Sequence, residues 1–190
     1  FKTTPCFISG HDPETGRELW RTPTVAQPGQ PGGDSWAELP AEFRAGGDSW
    51  IAGSYDAALD TFYIGTAQAK PWVARSRRMT VKDAALYTNS TLALDPRTGK
   101  LKWYFQHNPG ETLDLDNVFE RVLVDIDGRP SLMTIGKDGL LWKLDRRTGA
   151  YIDVAPTVYQ DVYSKVDRKT GRLTYRPSIV AAKKGDYMPS

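Results

Sequence analysis

Asp114 and Asp116, two carboxylates two positions apart, are the residues of this chain best placed to do chemistry. In an extended segment, residues i and i+2 point to the same side. Two carboxylates then share one site, and their repulsion raises one pKa unless a cation lies between them. A hard, highly charged ion resolves that repulsion. The bland alternative is a solvated turn that starts at Asp116-Asn117. Other chemistry-bearing residues are sparse. Cys6 is the only cysteine among 190 residues. It can form neither an internal disulfide nor a zinc site. It reads as a small buried hydrophobe, or as the partner of a cysteine outside this chain. His107, a lone histidine near a loop, reads as structural. Lys137 lies in Gly136-Lys137-Asp138-Gly139, which is also a good hairpin turn.

The elements that must position these residues are strands, and they repeat. Asp12-Pro13-Glu14-Thr15-Gly16-Arg17-Glu18-Leu19-Trp20 returns as Asp95-Pro96-Arg97-Thr98-Gly99-Lys100-Leu101-Lys102-Trp103. Asp145-Arg146-Arg147-Thr148-Gly149 is a third copy, with Asp153 where the Trp should stand, and it reads as degenerate. Asp167-Arg168-Lys169-Thr170-Gly171 is a weaker fourth, with Tyr175 in place of the Trp. Such self-similarity signals a repeat architecture. Each copy predicts a hairpin, in which Asp bonds the turn backbone and Gly supplies a positive φ. The trailing Trp is a large apolar plate suited to packing between neighbouring sheets.

Strands are expected at 6–9, 18–22, 51–55, 61–65, 90–94, 102–106, 121–126, 131–136, 140–144, 158–162 and 172–176, with no long amphipathic helix. At most a helical turn fits 38–43, and Pro40 interrupts it. Two long connections, roughly 24–47 and 68–87, separate the first two copies. Such loops are usually functional or disordered. The fold class is all-β, a partial β-propeller, with residues 1–190 forming about three blades. Propellers close with typically four to eight blades. An opening on Phe1 rather than Met fits a processed chain or a fragment. A net charge of +2 implies neither nucleic acid nor an anionic membrane as partner. The cluster Arg75-Ser76-Arg77-Arg78 is expected to be a solvated loop. No apolar run is long enough for a membrane helix.

The order of motifs resembles the pyrroloquinoline quinone (PQQ) dependent alcohol dehydrogenases. The Asp-x-x-Thr-Gly-Lys-x-x-Trp repeat looks like the tryptophan-docking motif of their eight-bladed propeller. Gly46-Gly47-Asp48-Ser49-Trp50 precedes Ser54-Tyr55-Asp56 and Phe62-Tyr63-Ile64-Gly65-Thr66-Ala67-Gln68. Lys70-Pro71-Trp72, Tyr87-Thr88-Asn89-Ser90, Asn108-Pro109-Gly110-Glu111-Thr112-Leu113-Asp114-Leu115-Asp116 and Gly136-Lys137-Asp138-Gly139 follow in order.

What the resemblance implies can be carried over one position at a time. Trp50 matches the tryptophan under the PQQ ring, and a flat cofactor needs such a face; the alternative is a core Trp. Gln68 stands where the family usually has a metal-binding Asn, and an amide oxygen still suits a hard cation. Asp114 matches the catalytic aspartate and a metal ligand, although Leu113 replaces the usual Trp before it. Asp116, two residues on, resembles the extra acid of lanthanide-dependent methanol dehydrogenases. Lys137 matches a basic residue at the quinone oxygens. Trp36 has no family counterpart and is expected to pack. The implied cofactors are PQQ with calcium or a lanthanide. The implied reaction is oxidation of a primary alcohol to an aldehyde by hydride transfer, with Asp114 as base. A cytochrome c acceptor and a periplasmic location follow from the same resemblance. The family's vicinal cysteines, first metal-binding Glu and several PQQ ligands would lie before this region. A non-enzymatic propeller scaffold, or an aldehyde or sugar dehydrogenase on the same cofactor, are the alternatives.

Overall fold

The computed structural model describes residues 5–181. The strands are β1 (Phe7–His11), β2 (Glu18–Pro23), β3 (Ala45–Gly46), β4 (Ser54–Asp56), β5 (Thr61–Gly65), β6 (Ala69–Lys70) and β7 (Ser90–Leu94). They continue with β8 (Leu101–Gln106), β9 (Val122–Ile126), β10 (Arg129–Ile135), β11 (Leu140–Asp145), β12 (Tyr151–Pro156), β13 (Tyr163–Asp167) and β14 (Arg172–Tyr175). Two antiparallel four-stranded sheets, β4-β5-β7-β8 and β9-β10-β11-β12, lie between the hairpins β1-β2 and β13-β14. A short ladder, β3-β6, pairs Ala45 with Lys70 and Gly46 with Ala69. The one α-helix among the described residues spans Pro177–Ala181. The arrangement is the all-β propeller arc that the repeats predict.

Strands buried on both faces build the seams. On β5, Tyr63 faces the second sheet with Ala93, Leu132 and Leu144. Its neighbour Ile64 turns to the other side, with Leu92, Leu94, Ile8 and Trp20. This is the period-2 alternation of a strand between two layers. A third seam joins Leu140, Trp142 and Val154 to Tyr163 and Leu173 of the last hairpin.

The four Thr-Gly turns close alike. In each, the Gly N–H donates to the Asp carbonyl at 2.8 Å. The Asp Oδ1 accepts the N–H two residues on, from Glu14, Arg97, Arg147 and Lys169. Gly16, Gly99, Gly149 and Gly171 all have φ near +70°, which glycine adopts without steric cost. The bare glycines receive the docking rings. A Cβ at Gly99 would collide with the Trp20 ring, and one at Gly149 would lie 2.5 Å from Trp103 Cε3. Trp20 Nε1–H also donates to the Pro96 carbonyl at 3.0 Å.

The third copy is not degenerate in function. Tyr151, two positions before Asp153, lays its ring where a Gly171 Cβ would sit. Its hydroxyl donates to the Arg168 carbonyl at 2.7 Å, the residue after the turn Asp, just as Pro96 follows Asp95.

Three sequence expectations need correction. The strand expected at 158–162 is a loop; β12 and β13 lie on either side of it. Gln160 Oε1 caps the Tyr163 N–H at 2.8 Å, and Val158 and Tyr159 are exposed. The Arg75–Arg78 cluster is not uniformly solvated. Arg77 is buried and donates to the carbonyls of Ala69, Trp72 and Glu111 at 3.3, 2.9 and 3.2 Å. The two long connections are ordered against each other. Val25, Ala26, Trp36, Ala74, Met79 and Ala85 form a cluster of their own, so Trp36 packs as expected.

Arg121 ties the two large sheets together. It is fully buried, and a Cβ at Gly65 would strike its guanidinium. It donates to Thr91 Oγ1 at 3.2 Å, to the Ser90 carbonyl at 3.3 Å and to the Asn117 carbonyl at 2.5 Å. Burial pushes its pKa down to about 9.

Candidate functional site

In an up-and-down sheet, successive connections alternate between the two ends. The Thr-Gly turns join third to fourth strands in the two large sheets. They therefore occupy one end. Gln68 lies between β5 and β7, and Lys137 between β10 and β11. Both connections join second to third strands. Asp114 and Asp116 lie between β8 and β9, and Trp50 between β2 and β4. All five residues sit at the end opposite the Thr-Gly turns.

Four of them meet. Lys137 Nζ lies 2.5 Å from Asp116 Oδ2 and 3.1 Å from Asp114 Oδ2. The Gln68 N–H donates to Asp116 Oδ1 at 3.2 Å. Gln68 is itself buried, and its Oε1 has no partner. The repulsion expected between the two acids is answered by the ammonium between them. Burial opposes the charge on Lys137, but hydrogen bonds and charge from Asp116 and Asp114 outweigh it and hold its pKa above the usual value. Lys137 also belongs to the hairpin turn, since the Gly139 N–H donates to the Gly136 carbonyl at 3.1 Å.

The acidic pair converges differently from the sequence expectation. The 107–121 segment forms no strand, and Asp114 has φ +64°. The Asp114 side chain is 43% exposed, whereas Asp116 is 3% exposed. Asp116 therefore does not start a solvated turn. A left-handed residue reverses the chain locally, and this brings both carboxylates to the same ammonium.

Trp50 is 54% exposed, so it is not a core tryptophan. Its neighbours are fixed to the Gln68 segment. Ser49 Oγ donates to the Gly65 carbonyl at 2.5 Å, and the Ala67 N–H donates to the Asp48 carbonyl at 2.8 Å. Asp48 also pairs with Lys70 Nζ at 2.6 Å and accepts the Cys6 thiol at 3.1 Å. Burial and the Asp48 carboxylate push the Cys6 thiol up to about 11. Cys6 is thus a half-buried donor rather than a plain hydrophobe. The Asp48–Lys70 pair escaped the sequence reading, although both residues stand in motifs already singled out.

His107 is structural. Its Nε2 lies 2.8 Å from Thr91 Oγ1, and its ring packs edge-on against Phe105 and Trp142. Burial and the Arg121 charge hold its pKa well below the usual range, so the ring is neutral.

Beside Gln68 lies a cavity of about 710 Å³. Leu39, Pro40, Phe43, Pro71 and Trp72 give it apolar walls. The long connections thus build a pocket that reaches Gln68.

An amide oxygen and two carboxylates form a donor set for a hard cation, and the buried, partnerless Gln68 Oε1 fits that role. Among the described residues no group of three or more His, Cys, Asp or Glu gathers. The fit therefore rests on the mixed amide and carboxylate set.

Ring-docked antiparallel sheets with polar groups gathered at one end define a β-propeller arc with a candidate site at that end. Residues 1–170 match the family model for PQQ, the "Glucose/ethanol/alcohol dehydrogenase, beta-propeller domain". The chain belongs to this PQQ-dehydrogenase propeller family. It is 34% identical to quinohemoprotein alcohol dehydrogenase ADH IIB of Pseudomonas putida, over 91% of this chain and 27% of that protein. It is 32% identical to the quinohemoprotein alcohol dehydrogenase of Comamonas testosteroni, over 87% of this chain and 26% of that protein. A europium-containing methanol dehydrogenase structure superposes with a TM-score of 0.81 at 27% identity, covering 92% of this chain and 34% of that one. The chain thus spans about a quarter to a third of the length of the proteins it matches.

Proposed function

We propose that this chain carries part of the active site of a PQQ- and metal-dependent dehydrogenase that oxidises a primary alcohol to an aldehyde. The observation that carries this reading is the meeting of Asp114 and Asp116 on Lys137, beside the buried Gln68 amide. When bound, PQQ and its metal supply an electrophilic quinone that accepts a hydride. Asp114, the more exposed of the pair, takes the hydroxyl proton, which requires an ionised carboxylate within hydrogen-bond reach. Asp116 and the Gln68 oxygen help to hold the cation. Lys137 offers a cation to negative charge that develops on the cofactor. The exposed Trp50 gives a flat apolar face for stacking. The apolar cavity beside Gln68 takes the carbon chain of the alcohol. The family model spans glucose as well as alcohols, but the named relatives are alcohol dehydrogenases. A scaffold has no need of the acidic pair or the Gln68 amide. The quinohemoprotein relatives favour a haem or cytochrome c as the electron acceptor that the reduced cofactor would use, in the periplasm.

The metal is proposed to be a lanthanide. Two carboxylates in one cleft favour a trivalent ion, which is also the stronger Lewis acid. The test reconstitutes the full-length apoprotein with PQQ and either calcium or lanthanum, and follows alcohol-dependent dye reduction. Asp114→Asn is expected to lose about a thousandfold in kcat with either metal, and Asp116→Ala to lose the lanthanum preference. Equal or better activity with calcium refutes the lanthanide assignment. An active Asp114→Asn protein refutes the base.

A further inference from the structure

We infer that Glu111 is a positioning residue for Asp114, and that it holds the loop in the conformation that presents the carboxylate. The inference rests on the reading of Asp114 as the base. Asp114 occupies the left-handed region, at φ +64°. For a residue with a Cβ this conformation is unfavourable and persists only where the surroundings impose it. The surroundings here are one oxygen. Glu111 Oε1 accepts the N–H of Leu113 and, at 3.0 Å, the N–H of Leu115. These are the amides on either side of Asp114. A single acceptor bridging both closes the chain around the residue between them, and it leaves the Asp114 carboxylate outside the bridge.

The cost of this arrangement argues that it is more than packing. Glu111 is only 4% exposed, and its Oε2 has no hydrogen-bond partner. A buried, half-satisfied carboxyl group is unfavourable. Arg77 locks the other side of the loop. It donates to the Glu111 carbonyl at 3.2 Å and to the carbonyls of Ala69 and Trp72. Ala69 directly follows Gln68, and Trp72 lines the cavity. Glu111 and Arg77 together therefore fix the loop of the base against the segment that carries the Gln68 amide.

The test uses the full-length protein and two variants of Glu111. Glu111→Leu keeps the volume and removes the acceptor. Glu111→Gln keeps an acceptor oxygen. Amide exchange of the 112–117 peptide is measured by mass spectrometry without cofactor, and kcat and KM are measured after loading with PQQ and metal. Glu111→Leu is expected to exchange about tenfold faster at this peptide. Its kcat should fall about a hundredfold, the scale expected for a misplaced catalytic group, while KM and bound PQQ stay unchanged. Glu111→Gln should stay within about threefold of the parent in both readings, since it retains the acceptor. Unchanged exchange and kcat in Glu111→Leu would overturn the inference. So would equal losses in both variants, or a loss that appears only in KM. The exchange result stands apart from the base assignment. If Asp114→Asn stays active while Glu111→Leu still loosens the peptide, the reading of the base fails and the loop geometry survives.

Discussion

The aspartates at the two ends of the sheets have opposite fates. Asp12, Asp95, Asp145 and Asp167 turn their carboxylates onto their own backbones, two residues ahead. Asp114 and Asp116 accept nothing from their own loop; their partners are Lys137 and the distant Gln68 N–H. A carboxylate satisfied by its own turn builds structure and is not available to a ligand. A carboxylate held by a flexible ammonium can exchange that partner for substrate or cation. The position of the acceptor bonds, rather than the residue type, separates scaffold from site.

That contrast can be broken at three strengths, each expected to change stability and leave kcat per folded molecule intact. The largest effect belongs to Gly149→Ala. Its Cβ would meet Trp103, and its φ of +73° disfavours any side chain. A loss of about 3 kcal/mol is expected from overpacking and backbone strain together, read by denaturant unfolding of the full-length protein. Asp95→Ala is next. It removes an acceptor from an exposed turn, and a smaller loss of stability is expected in the same unfolding experiment. A fall in kcat for folded Asp95→Ala would show that the two ends are coupled. The smallest is Tyr151→Phe. It keeps the ring and deletes the bond to Arg168, so thermal melting should report about 0.5 kcal/mol. A loss as large as that of Gly149→Ala would mean that the hydroxyl, not the ring, carries the seam.

The turns were legible in the sequence because they are self-contained. Asp, Thr and Gly complete their bonds within six residues, so spacing alone reveals them. Strands β5 and β7 were also read at their observed bounds, since they are short apolar runs between turn signals. Strand β12 is not legible in the sequence, because its docking ring is Tyr151 rather than a Trp at position 153, eight residues after the turn Asp. The neighbouring Val158-Tyr159 looked like a strand but stays in solvent. The roles of Gln68, Asp114, Asp116 and Lys137 come from the family resemblance; that they touch one another is a fact of the fold that spacing alone does not contain. The left-handed turn at Asp114 was not legible, because Glu111 Oε1 accepts the flanking Leu113 and Leu115 amides, and nothing in the sequence says where that carboxylate points. Arg77 was hidden for a similar reason: nothing in an Arg-Ser-Arg-Arg string says which guanidinium turns inward.

Arg121 carries a consequence for how the two large sheets assemble. Repeat proteins normally gain stability piece by piece, each unit resting on its neighbour. A fully buried guanidinium with carbonyls for partners does not allow such gradual assembly. Its acceptors come from the first sheet, at Ser90 and Thr91, and from the crossing loop, at Asn117. With either set absent, the charge would be dry and under-bonded, a state far less favourable than hydration. The crossing should therefore form in one step or not at all. The two sheets become a single cooperative unit, and the loop that bears Asp116 inherits the rigidity of that unit rather than the looseness of a surface connection.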